Sequence, residues 1–120
     1  MNRISWFEIP VADLDRAMDF YGKVFETEFH RQTMDQIDMA IFPHEKQDVS
    51  GALAAGPMYN PAGNGTIVYF YIDGDLTTAL DRAIAQGSEV TLPKTPIGPN
   101  GFIALFKDSE GNIVGLHSMT

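Results

Sequence analysis

The sequence predicts an α+β fold assembled from two copies of one βαβββ unit. Two internal echoes and one repeated order of elements carry that prediction. The run Asp13-Leu14-x-x-Ala17-Met18-Asp19 returns as Asp75-Leu76-x-x-Ala79-Leu80-Asp81. Downstream, Met39-Ala40-Ile41-Phe42 returns as Ile103-Ala104-Leu105-Phe106, and Gly51 is matched at the same offset by Gly115. Strand, helix and three strands can be read twice from the hydrophobic periodicity. Two similar modules generally pack about a pseudo-twofold axis, which makes the cleft between them a natural place for a ligand.

In the first module, residues 4–11 read as a strand, and Asp13 offers a side-chain oxygen to cap a helix beginning at Leu14. Leu14, Ala17, Met18 and Tyr21 fall on one helical face, and the helix runs to about Phe25. Three strands follow over residues 28–33, 37–42 and 49–54, separated by polar or Pro-containing turns. Residues 56–65 hold Gly56, Gly63, Gly65, Pro57 and Pro61, the composition of a linker. The predicted organisation is one domain over residues 1–120, with module one at 1–55, the linker at 56–65 and module two at 66–120.

The second module repeats the order. Residues 66–72 are rich in β-branched and aromatic side chains. Asp75 opens a helix whose apolar face carries Leu76, Ala79, Leu80, Ala83 and Ile84, and Gly87 is placed to end it. Residues 89–92, 102–106 and 112–118 supply three more strands, and Pro93, Pro96 and Pro99 are assigned to the connections. Asp108-Ser109-Glu110-Gly111-Asn112 reads as the last hairpin turn, with Gly111 at the position of positive φ. The turn lacks the length and the distant bidentate Glu of a calcium loop.

Composition narrows the class. The chain has 120 residues, 44% of them hydrophobic, with eight Phe, four Tyr and one Trp, enough for a core of its own. No stretch approaches the roughly 20 apolar residues of a membrane span, and the start carries no apolar signal segment, so a soluble cytoplasmic protein is expected. Without cysteine there is no disulfide, thiolate metal site or cysteine nucleophile. Sixteen acidic against eight basic residues give a net charge of −8, which disfavours nucleic acid and anionic membranes as partners. Two readings of the acids stand: they keep a small protein in solution, or some of them line a pocket for a cationic ligand.

The duplicated unit, the run Val11-Ala12-Asp13-Leu14-Asp15-Arg16-Ala17-Met18-Asp19-Phe20-Tyr21 and the hairpin Phe106-Lys107-Asp108-Ser109-Glu110-Gly111-Asn112 together resemble the vicinal oxygen chelate superfamily. That superfamily holds glyoxalase I, extradiol dioxygenases and bleomycin resistance proteins, and the likeness spans essentially the whole chain. It implies two modules forming a curved, cleft-forming sheet about a pseudo-twofold axis, and often a homodimer. Within it, Pro93-Lys94-Thr95-x-Ile97-Gly98, Phe102 to Phe106 and Gly115-Leu116-His117-Ser118 resemble a glyoxalase-related branch whose activities are mostly unassigned.

The resemblance also implies His or Glu at four inward-facing strand positions in the metal-dependent members. Counting from Asp13 and Gly111 places these on Trp6, Gly51, Ile67 (or Val68) and Gly115, none of which offers a metal a donor side chain. Neither a metal ligand set nor a cofactor is therefore expected. Glycine at Gly51 and Gly115 predicts a wider pocket floored by backbone and suited to an apolar or planar ligand. Strand alternation then adds Glu8 beside Trp6, Leu53 beside Gly51, Tyr69 and Tyr71 beside Ile67, and His117 beside Gly115.

The expected ligand-binding set is Trp6, Leu53, Ile67, Tyr69, Tyr71, Gly51 and Gly115, with Glu8 and His117 as a candidate acid and base. A structural role is the competing reading for each, the aromatics as sheet packing and the two titratable groups as satisfied polar residues. The functional expectation is a small-molecule-binding protein without a glyoxalase-type metal centre. The alternatives are an acid/base lyase or isomerase using Glu8 and His117, a divergent metal-dependent lyase, and a purely interaction-mediating role.

Overall fold

The computed structural model describes residues 3–46 and 48–120; Met1, Asn2 and Gln47, which fall within module one, lie outside the described residues. The first half supplies β1 (Trp6–Pro10), α1 (Leu14–Phe25), β2 (His30–Met34), β3 (Ile37–Ile41) and β4 (Ser50–Ala55). The second supplies β5 (Tyr69–Tyr71), α2 (Thr77–Ala85), β6 (Val90–Pro96), a single 3-10 turn at Gly98–Asn100, β7 (Phe102–Lys107) and β8 (Ile113–Ser118). Each half forms its own four-stranded sheet, in the orders β1-β4-β3-β2 and β5-β8-β7-β6. In both, the strand before the helix pairs in parallel with the last strand, and the other pairs are antiparallel.

Local chemistry sets the element ends. The Asp13 carboxylate accepts from the backbone N–H of Arg16, satisfying one of the free donors at the start of α1. Gly87, at φ +88°, turns the chain out of α2 while the Ser88 N–H bonds the Ala83 carbonyl. Gly111 takes φ +90° in the last hairpin. Pro93 and Pro96 depart from expectation, since both lie inside β6 rather than in connections. They are tolerated because β6 is an edge strand and its register against β7 shifts between Val90 and Leu92 and again between Leu92 and Thr95.

One apolar core joins the two halves. It takes Ile9, Leu14, Ala17, Phe20, Tyr21, Ala40 and Leu53 from the first and Leu76, Leu80, Ala83, Ala104, Phe106 and Leu116 from the second. Aromatic rings cross the junction: Phe70 lies 4.5 Å from Phe25 and 5.9 Å from Phe7, and Phe106 lies 6.1 Å from Phe20 between centroids. Pairs of this kind add about 0.5–1.5 kcal/mol each beyond the area they bury.

The last hairpin provides the polar part of the same junction. The buried Asp108 carboxylate accepts from the Tyr21 hydroxyl at 2.6 Å, the Glu110 and Asn112 backbone N–H groups at 2.8 Å and the Asn112 side-chain amide at 2.9 Å. Burial pushes the Tyr21 hydroxyl up well above the usual phenol range, and the neighbouring Asp108 charge adds to this. Asn112 also donates to the Pro10 carbonyl and accepts from the Ala62 N–H, tying β1 and the linker to the hairpin. Glu110, its side chain fully shielded from solvent, accepts from the N–H groups of Ala12 and Asp13 and from the Arg16 guanidinium at 2.7 Å.

The other ion pairs are of a different kind. Lys23–Asp19 and Arg31–Asp15, for example, join side chains about half or more exposed, and such pairs contribute at most about 1 kcal/mol.

Two outcomes follow from the hairpin. Tyr21→Phe leaves Asp108 with one donor fewer in a buried site and should lower the unfolding free energy by about 1–3 kcal/mol in chemical denaturation. The Arg16 guanidinium, first among its partners, holds the Glu110 carboxyl at about 2, below its ordinary value of 4.5. A carboxyl depressed on folding stabilises the protein fully above its unfolded value and loses that contribution as pH falls toward the folded one. The urea midpoint should therefore drop between about pH 5 and pH 2 more steeply in the native protein than in Glu110→Gln, and parallel profiles would contradict the assignment.

Candidate functional site

Each sheet has one face against the helices and one face away from them, and pairing shows which residues share a face. In sheet one, Phe7 pairs with Gly51, and Ile9 with Leu53, which in turn pairs with Ala40; Ile9, Leu53 and Ala40 all belong to the buried core. Trp6 and Glu8, paired with Ser50 and Ala52, therefore occupy the outer face. In sheet two, Phe70 pairs with the core residue Leu116, so Tyr69, Tyr71, Gly115 and His117 lie on the outer face.

This corrects two expected ligand-binding residues. Leu53 is fully buried beneath the helices, and Gly51 points the same way, where a Cβ would overlap the backbone oxygen and ring of Phe7. Gly115 does lie on an outer face, yet the space left by its missing side chain is filled by the Tyr69 ring. The pocket floored by bare backbone is therefore absent at both glycines. Ile67 lies before β5 and is partly exposed; by strand pairing it is the module-two counterpart of Trp6, and Tyr69, which pairs with Gly115 as Glu8 pairs with Ala52, is the counterpart of Glu8.

The outer face of sheet one is covered by the linker. Tyr59 packs with Ile37 and Ile41 over Met39, Ala52 and Ala54, and its hydroxyl donates to Glu8 at 2.7 Å. The Trp6 indole N–H donates to the other Glu8 oxygen at 3.3 Å. The Glu8 hydrogen bond raises the Tyr59 hydroxyl above the usual phenol range. Glu8 also borders a hollow of about 260 Å³ between β1, linker residues 60–66 and the start of β8.

The outer face of sheet two is covered only at one side, by the turn around Gly98–Asn100. Tyr69, Ile97, Asn100, Ile103 and His117 line a shallow, largely apolar hollow of about 420 Å³, with Tyr69 43% exposed and Ile97 38% exposed. Tyr71, 61% exposed, sets its ring edge-on to His117 with centroids 5.7 Å apart. The His117 Nε2 lies 2.7 Å from the Asn100 backbone carbonyl.

Glu8 and His117 thus stand on different sheets, each bonded to its own neighbours and bordering a different hollow. The chain does not join them as an acid/base pair. Among the described residues, no three His, Asp or Glu side chains converge as a metal site requires, and the equivalent positions of the two modules carry Trp6, Ala52, Ile67 and Gly115 where donors would be needed.

Four site residues escaped sequence reasoning: Tyr59, Ile97, Asn100 and Ile103, of which Ile97 was read only as part of a Pro/Gly-rich connection. Ile103 was accessible in principle, because antiparallel pairing of the last hairpin sets it opposite His117. Tyr59 sits in a Gly/Pro segment without periodicity, and Asn100 contributes a backbone atom that any residue carries.

The chain belongs to the Glyoxalase/Bleomycin resistance protein/Dioxygenase superfamily, whose family model matches residues 3–116. Among solved structures it is similar to TnmS3, an antibiotic binding protein from Streptomyces sp. CB03234, with 25% identity, 100% of this chain and 98% of that chain covered, and a TM-score of 0.74. A glyoxalase/bleomycin resistance protein from the same Streptomyces is 26% identical over 95% of this chain and 98% of its own, with a TM-score of 0.69. The fosfomycin resistance protein FosX from Listeria monocytogenes shares the fold at 18% identity and a TM-score of 0.71, with 100% and 95% of the two chains covered. No significant match is found among curated proteins.

The opposite facing of the two glycines has a measurable consequence. Gly51→Ala drives a methyl into backbone and should cost about 1–3 kcal/mol of stability. Gly115→Ala overlaps only the half-exposed Tyr69 ring, not backbone, and should cost less, about 1 kcal/mol or below. Equal losses in urea denaturation would show that the two positions share one environment.

Proposed function

We propose that the chain binds a small organic molecule on the outer face of sheet two, holding it without a glyoxalase-type metal centre. The observation that carries this reading is the hollow lined by Tyr69, Ile97, Asn100, Ile103 and His117, which has the character of a ligand site: mostly apolar and aromatic walls with a few polar groups to fix orientation. Its volume of about 420 Å³ suits a molecule of a few fused rings. The likeness to an antibiotic binding protein across nearly the full length of both chains supports binding as the activity, as in a sequestering protein. Exposed Trp6, Tyr69 and Tyr71 further support pairing of two copies, with the ligand shielded between an outer face and the partner.

Thermal denaturation against a library of aromatic natural products tests the reading. A binder raises the melting temperature by mass action, and the rise should be lost in Tyr69→Ala and kept in Glu8→Gln. A library without a single binder, or a binder indifferent to Tyr69, would refute it. Calorimetric titration with Ni, Zn, Mn and Fe should show no stoichiometric uptake. Sedimentation velocity should return about twice the chain mass of 13.2 kDa.

A further inference from the structure

The two ring nitrogens of His117 are not equivalent. Nε2 lies 2.7 Å from the Asn100 carbonyl oxygen, and a carbonyl oxygen accepts hydrogen bonds and never donates them. The proton between them therefore sits on Nε2. In a neutral imidazole with Nε2 protonated, Nδ1 carries a lone pair and is an acceptor. No hydrogen bond to Nδ1 occurs among the described residues.

The Asn100 carbonyl is itself held in place. It closes the turn at Gly98–Asn100, where the Gly101 N–H bonds the Gly98 carbonyl and the Ile97 N–H bonds the Gly101 carbonyl. The ring is further fixed by the edge of Tyr71 and by its place in β8 opposite Ile103. The rest of the hollow is largely apolar.

We infer that His117 acts there as a hydrogen-bond acceptor, and that the ligand is a planar aromatic molecule carrying a hydroxyl donor, a phenol or naphthol in chemical class. This rests on the placement of the ligand site on sheet two. Apolar walls bind the rings of such a molecule, but they discriminate weakly between close analogues. A built-in acceptor discriminates strongly, because an analogue without the donor leaves the acceptor desolvated and unpaired. His117 is then the residue that sets specificity.

The experiment uses the intact protein with 2-naphthol and its methyl ether, which keeps the rings and loses the donor, at about pH 8, where imidazole in general is neutral. Long-range proton–nitrogen NMR of the free protein should show Nε2 protonated and Nδ1 bare, and 2-naphthol should shift the Nδ1 signal together with resonances of Tyr69, Ile97 and Ile103. 2-Naphthol should bind about tenfold or more tightly than the ether, and in His117→Phe that preference should fall below about twofold.

A proton on Nδ1 in the free protein overturns the inference without reference to any variant. Equal binding of naphthol and ether at the hollow overturns donor selection while upholding the site. Failure of both to perturb the hollow overturns the phenol class, and the library screen with Tyr69→Ala judges the site independently.

Discussion

The fold depends on the two carboxylates of its last hairpin, Asp108 and Glu110. Both side chains are largely or wholly withdrawn from water, and each is satisfied by groups from elsewhere in the chain: Asp108 by the Tyr21 hydroxyl as well as its own turn, Glu110 by the start of α1. A buried charge is tolerable only when its desolvation is offset by several donors at once. The five residues of this turn thus fix where β1 ends, where α1 begins and how the linker runs past β8. The aromatic contacts of Phe70 and Phe106 would permit some sliding between halves, whereas the directional bonds of the hairpin do not.

Much of this architecture was legible in the sequence. The duplicated run at Asp13 and Asp75 announced two modules, the Asp13 cap and the left-handed Gly87 and Gly111 were placed from residue type alone, and the family resemblance was carried by the same residues. The facing of individual strand residues was legible in only part of the chain. A strand has a period of two, so a single-residue slip between repeats exchanges the inner and outer faces.

Such a slip separates the modules. Leu53 corresponds to Leu116, since both are buried and pair with the buried alanines Ala40 and Ala104. That alignment sets Gly115 against Ala52 rather than against Gly51. The match of the two glycines in the sequence is an accident of spacing, and the pocket inferred from it disappears with it. Trp6, Glu8, Tyr69, Tyr71 and His117 lie together with Gly115 on the faces away from the helices, because Trp6 and Gly115 were counted from fixed points close by and the others follow by alternation from them and from Ile67.

The modules have also diverged in what covers those faces. Tyr59, from a segment read only as a linker, closes sheet one and occupies Glu8, while the corresponding face of sheet two keeps its aromatics and His117 uncovered. A symmetric scaffold has thereby become two unlike surfaces, one filled by its own chain and one open. The linker is as much a part of sheet one as its strands, which explains why its Gly and Pro content was a poor guide to its role.

The bond from Glu110 to the Ala12 N–H spans 98 positions and has an implication for biosynthesis. When the ribosome has delivered the first module, the Ala12 and Asp13 N–H groups just before α1 still lack their carboxylate partner, and Tyr21 has no acceptor. The leading half must wait, incompletely closed, until the last hairpin has been synthesised, and long-range contacts of this kind slow folding.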